Sequence, residues 1–127
     1  MSIPAPREAD VLRACLAYLK HMYPLRADGN GVFRGICAWR SNNAGVRRTD
    51  PKTGRQWHQF TGLKGVADIL GVLAPSGRLL AIECKRPGGK LSPEQEQFLD
   101  VIRQAGGLAC VVRSVDELAK ALTVEGY

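Results

Sequence analysis

Apolar residues recur along this chain with two different periods, and the changes between them mark out the elements. From Pro6 to about Tyr23, Val11, Leu12, Cys15, Leu16, Leu19 and Met22 fall at three- and four-residue spacing, the single stripe of an amphipathic helix. Pro6 suits its first turn and Pro24 its stop. Glu8 is out of keeping with the stripe. It lies four residues before Leu12 and seven before Cys15, on the inward side, although an acid in a first turn is also what the helix dipole favours. The polar stretch from Arg26 to Gly31 predicts a turn, and Val32 to Arg40 a strand. From Ser41 to Gly62 the pattern gives way to Gly, Asn and basic residues with Trp57 and Phe60 among them. That composition predicts a long mobile loop, with room for a short hairpin, and a loop of this length in a compact domain usually has a function.

Two apolar runs follow, VADILGVLA (Val66 to Ala74) and RLLAIECK (Arg78 to Lys85), separated by Pro75, Ser76 and Gly77. Pro and Gly there signal a hairpin turn. After the loop KRPGGKL, Ser92 caps a helix with Pro93 at its first position and Gln95 three residues after the cap, a capping-box pattern. Phe98, Leu99 and Ile102 form its apolar face and Gly106-Gly107 close it. LACVV, Leu108 to Val112, reads as a short buried strand, and Ser114 with Glu117 makes a second capping box before a last helix ending near Leu122. The order is α-β-β-β-α-β-α. The strand–helix–strand segment from Arg78 to Val112 should be a right-handed parallel unit, giving an α/β fold with a mixed β-sheet flanked by helices. Residues 1–127 are expected to form a single domain.

The hairpin carries the most pointed chemistry. If its turn centres on Pro75 and Ser76, Asp68 stands directly opposite Glu83 on one face of the sheet, with Lys85 on that same face. A one-residue slip would separate them. Opposed carboxylates repel unless something positive lies between them, either a divalent cation with hard oxygen ligands or, more weakly, Lys85. Two readings stay open at this point. One is a polar sheet face with a salt bridge. The other is metal-assisted phosphodiester hydrolysis, in which carboxylates hold Mg²⁺ or Mn²⁺ and the lysine orients water or stabilises developing charge.

Charge adds a candidate partner. The net charge is +6, and it is localised: Gly31 to Lys64 holds Arg34, Arg40, Arg47, Arg48, Lys52, Arg55 and Lys64 against Asp50 alone, while the remaining residues balance at eleven basic and eleven acidic. Such an excess suits a polyanion, most simply nucleic acid, or else a solvated loop. The rest of the composition is that of an ordinary soluble protein, 45% hydrophobic and 24% charged. No apolar run approaches the roughly 20 residues that span a bilayer. The N-terminus lacks the form of a signal peptide, so a cytoplasmic location without membrane contact is expected. Cys15, Cys37, Cys84 and Cys110 form no CxxC and sit in apolar segments; buried, reduced thiols are expected and no zinc site. Trp39, in a strand, is expected in the core rather than as a stacking platform, and His58 has no nucleophile to pair with.

GVAD (Gly65 to Asp68), IECK (Ile82 to Lys85) and KLSPEQEQFLDVIRQAGG (Lys90 to Gly107) together resemble the VRR-NUC family, the virus-type replication–repair nucleases of the PD-(D/E)XK superfamily. The likeness runs from the first helix to VVRSVDEL. It implies a restriction-endonuclease-like core and a Mg²⁺- or Mn²⁺-dependent DNA endonuclease. By position, Asp68 and Glu83 resemble the metal-binding acids, with the backbone carbonyl of Cys84 as a further ligand, and Lys85 resembles the catalytic lysine. Glu8 resembles the family's acid on the N-terminal helix and Gln95 its glutamine after the core strands. Asp68 follows Ala67 where many superfamily members have Pro, and Leu99 stands where one branch has Tyr. Stand-alone members imply action on branched DNA such as four-way (Holliday) junctions, and two symmetric cuts imply a homodimer. Arg86 and Lys90, on the loop after Lys85, and Arg40, Asn42 and Asn43, ahead of the basic segment, are further candidate contacts to DNA. The alternatives are a non-catalytic DNA-binding module built on segment 31–64, or a nuclease for RNA or single strands.

Overall fold

A computed structural model describes residues 3–41, 46–59 and 63–127. In chain order it has α1 (Glu8–Met22), β1 (Arg26–Ala27), β2 (Phe33–Arg40), β3 (Val46–Thr49), β4 (Gln56–Gln59), β5 (Ile69–Ala74), β6 (Arg78–Cys84), α2 (Pro93–Gln104), β7 (Leu108–Val112) and α3 (Val115–Val124). The main sheet runs β1-β2-β5-β6-β7. Its neighbours pair antiparallel except β6 and β7, which are parallel across the α2 crossover. This is the mixed α/β sheet with flanking helices that the pattern predicts, extended at one edge by β1, where a turn is expected from sequence.

The β5–β6 register pairs Ile69 with Ile82 and Leu70 with Ala81, so Asp68, one step before β5, stands opposite Glu83. Alternation along the strands divides the sheet into two faces. On one, Ile36, Ile69, Leu73, Leu80, Ile82, Cys84, Leu108 and Val112 pack against Val11, Cys15 and Leu19 of α1 and Leu118 and Leu122 of α3. On the other, Ala81 packs with Ala67 and with Leu99 and Ile102 of α2. Glu83 and Lys85 belong by alternation to this second face. Leu70 of β5 packs at the margin of this cluster, and beyond it on the same face Cys37, Trp39 and Val72 are exposed.

Two expectations are overturned by the packing of the sheet. Trp39 is 44% exposed rather than core, because α2 packs chiefly over β6 and β7. Cys37 is exposed for the same reason, whereas Cys15 and Cys84 are buried; all four thiols are free. The loop expected from Ser41 to Gly62, with room for a short hairpin, contains a two-stranded ribbon of β3 and β4. Asp50 organises its turn, with its carboxylate accepting the Lys52 N–H at 2.8 Å and its backbone N–H donating to the Arg55 carbonyl at 2.8 Å. The Ser92–Gln95 capping box forms in full. The second one forms by half: Ser114 Oγ accepts the Glu117 N–H at 3.2 Å, but the Glu117 carboxylate accepts the N–H of Arg113 instead. No helix among the described residues is long and apolar enough to cross a membrane.

Candidate active site

Asp68 is placed by its backbone and held by its side chain. Its carbonyl accepts the Ser41 N–H at 2.8 Å, which carries the β2–β5 pairing one step beyond Arg40. Its Oδ2 accepts the Cys84 N–H at 2.9 Å. In a strand the N–H and C=O of one residue point to the same side, so the Cys84 carbonyl is directed toward Asp68 as well. The turn leading to Asp68 is pinned to α2 at Gly65, where φ is +78° and a Cβ would fall on the Glu94 carbonyl.

Glu83 is 1% exposed. Gln95 Nε2 donates to its Oε1 at 3.0 Å, while Gln95 Oε1 accepts the Ser92 N–H at 2.9 Å. One side chain therefore closes the helix cap and anchors the buried acid, and each of its two ends faces the partner type that its chemistry requires. Lys85, 7% exposed, has its Nζ 3.4 Å from Glu8 Oε1 and 4.0 Å from Glu83 Oε1. Glu83 Oε2 is buried without a hydrogen-bond partner. The Asp68 carboxyl lies alongside Glu83, where an ionised Glu83 repels it and a protonated one can donate to it. Burial, then the Asp68 carboxyl, push the Glu83 pKa up to about 8, against the pull of Lys85.

Between its ordinary value of 4.5 and about 8, Glu83 holds a proton in the folded chain that the unfolded chain has lost. Metal-free stability is therefore expected to fall as pH rises through that window, by at most about 1.4 kcal/mol per pH unit from this group, and to level off above it. Melting temperatures in EDTA from pH 5 to 9 check this; a Glu83→Gln variant should lose that part of the slope.

A divalent cation suits this donor set. The unpartnered Glu83 oxygen, the adjacent Asp68 carboxylate and the Cys84 carbonyl are hard oxygens, and a 2+ charge offsets the burial and the Asp68 carboxyl that together raise the Glu83 pKa. Among the described residues no cluster of three or more His, Cys, Asp or Glu side chains forms a metal cage. Glu8 is engaged with Lys85. Two carboxylates and one carbonyl leave positions for water and a phosphate oxygen, as Mg²⁺ prefers.

The candidate nucleic-acid contacts are dispersed. Lys52 and Arg55 are exposed in the turn of the β3–β4 ribbon, Arg48 is exposed on β3 beside Trp57, and Arg47 lies opposite His58 in that ribbon. Lys64 is exposed just ahead of Asp68, and Arg86 and Lys90 are exposed on the β6–α2 loop. That loop is tied down by Arg113, which donates to the Gly89 carbonyl at 2.9 Å, a contact with no signal in the sequence. Arg40 pairs with Ile69, whose side chain is in the α1 core, so Arg40 is on the opposite face from Asp68. Arg34 is paired with Asp28 at 3.1 Å. Asn42 and Asn43 lie outside the described residues.

A mixed sheet whose central hairpin ends in an opposed Asp–Glu pair with a buried lysine, backed by a glutamine from the next helix, has the makeup of a phosphodiester-cleaving nuclease core. The family model for the VRR-NUC domain matches residues 26–116, and the chain belongs to this nuclease family. No curated protein and no solved structure matches the chain.

Proposed function

We propose that this chain is a Mg²⁺- or Mn²⁺-dependent DNA endonuclease that acts on branched DNA such as four-way junctions. The observation that carries this reading is the buried Glu83, with one carboxylate oxygen unpartnered, set between a half-buried Asp68 and a buried Lys85. A salt-bridged surface would leave these groups in water, and ionising the buried Glu83 beside Asp68 costs stability that a cation restores.

Asp68, Glu83 and the Cys84 carbonyl would hold the ion. When bound, it supplies a more acidic water and neutralises charge on the phosphate. Lys85 directs its ammonium to the edge of the pair, where it can hydrogen-bond the attacking water or a phosphate oxygen. Glu8 keeps that ammonium at the strand end through their 3.4 Å contact. Gln95 fixes the Glu83 carboxylate by its Oε1, leaving Oε2 to the ion. The two jobs of Gln95 can be separated. Gln95→Glu retains a capping-box acceptor but sets a third carboxylate against Glu83, so it should leave the helix intact and weaken metal affinity and cleavage by about 10–100-fold. Gln95→Ala should cost about 1 kcal/mol of stability as well. Thermal melts beside Mn²⁺ titrations check both.

Two symmetric cuts at a junction need two sites, so the proposal includes a homodimer with an isologous interface. A labelled four-way junction, a linear duplex and a single strand, each incubated with Mg²⁺, Mn²⁺ or EDTA, test the reading, with the mass in solution measured alongside. The expected result is metal-dependent paired cuts at the junction by a dimer. Preferential cutting of single strands or RNA would replace the branched-DNA assignment. Salt-sensitive binding without cleavage would leave a DNA-binding module.

A further inference from the structure

Trp39 pairs with Leu70 across the β2–β5 ladder, and Leu70 is two residues from Asp68, on the same face of β5. The Ser41–Asp68 hydrogen bond keeps the ladder in register to that point. Trp39 and Asp68 are thus diagonal neighbours on one sheet face, a separation that an indole spans. Trp39 is 44% exposed, belongs to neither core cluster, and adjoins further exposed apolar groups at Cys37 and Val72. The segment around it, Gly31 to Lys64, carries the whole net charge of +6. An exposed indole at the rim of a phosphodiester site, on a chain charged to attract a polyanion, matches one ligand feature closely: the π-face of a nucleobase.

Building on the nuclease reading above, we infer that Trp39 is a stacking platform for an unpaired base next to the scissile phosphate. In continuous duplex both faces of every base are covered by neighbours, so the indole finds no partner there. At a branch point, bulge or single-stranded gap a base can turn out onto it while the adjoining phosphate sits at Asp68 and Glu83. Trp39 would then select the class of substrate, through binding, without touching the reacting atoms.

The test uses a duplex carrying one bulged 2-aminopurine and the same duplex fully paired, each titrated at low salt in Ca²⁺ with wild type, Trp39→Ala and Trp39→Phe. The inference predicts tighter binding of the bulged duplex by wild type, with quenched 2-aminopurine emission. Trp39→Ala should lose roughly 5- to 150-fold on the bulged duplex and little on the paired one. Trp39→Phe should restore most of the affinity. In Mn²⁺ the same loss should appear in KM rather than kcat. Equal affinities of wild type and Trp39→Ala for the bulged duplex, or equal losses on both duplexes, would overturn the inference. So would a drop in mass by light scattering for Trp39→Ala, which would make the indole a contact with a second copy of the chain. Absence of cleavage by wild type in any metal would sink the nuclease reading, while the binding comparison would still decide the role of Trp39.

Discussion

Glu83→Gln is expected to make the metal-free protein more stable and to reduce cleavage by at least about 10²–10³-fold. The side chain is buried, with Gln95 donating to one oxygen and nothing donating to the other. An amide of the same shape keeps the oxygen that faces Gln95 and turns its NH₂ toward the Asp68 carboxylate. A buried repulsion becomes a hydrogen bond, with an expected gain of about 1–3 kcal/mol at pH 8. The same change removes half of the anionic charge that would hold a cation, and with it the stabilisation of charge at the phosphate. Calorimetry in EDTA and cleavage in Mn²⁺ read the two effects separately. A structural ion pair predicts the opposite stability result, since the Lys85–Glu83 contact would be lost with no compensation.

Gly65→Ala carries the largest expected cost to stability. The residue has φ +78°, and the added Cβ would strike the backbone of Glu94 and Gln95 at the start of α2. The left-handed conformation alone costs an ordinary residue about 1–2 kcal/mol, and displacement of a backbone adds to it, for an expected loss of about 3 kcal/mol or more. Because the turn leads to Asp68 and the struck backbone carries Gln95, the two sides of the site would move apart together and activity should fall with stability. Gly88→Ala is the control: φ is +80° there, with nothing within 4 Å of the added carbon. It should show the conformational cost without the steric one. Urea denaturation of both variants gives the difference.

The register that brings Asp68 to Glu83 was legible because Pro75, Ser76 and Gly77 leave the hairpin little choice of turn, and alternation does the rest. The helices were legible from their caps, though α1 begins at Glu8 with Arg7 as its cap rather than at Pro6. Trp39 was misread for a definite reason. β2 carries apolar residues on both faces, Ile36 and Ala38 on one and Cys37 and Trp39 on the other, which is the pattern of a strand buried twice. Which half of a sheet one helix covers is decided by packing, and α2 covers the other half. The β3–β4 ribbon has too little apolar alternation to stand out from a loop. Gln95 was visible as a cap residue, but its reach to Glu83 depends on the angle between α2 and β6. Gly65 was marked only by the family resemblance of GVAD; its approach to Glu94 supplies the physical reason.

The proposed reaction is divalent-metal phosphodiester hydrolysis at Asp68, Glu83 and Lys85. Its most direct test is cleavage of a labelled branched DNA by wild type and Lys85→Ala in Mn²⁺, Mg²⁺ and EDTA, with DNA binding and melting temperature measured on the same samples. The account predicts cleavage by wild type in metal alone, and a folded Lys85→Ala variant that binds DNA and does not cut it. Cleavage in EDTA, or undiminished cleavage by Lys85→Ala, would contradict it.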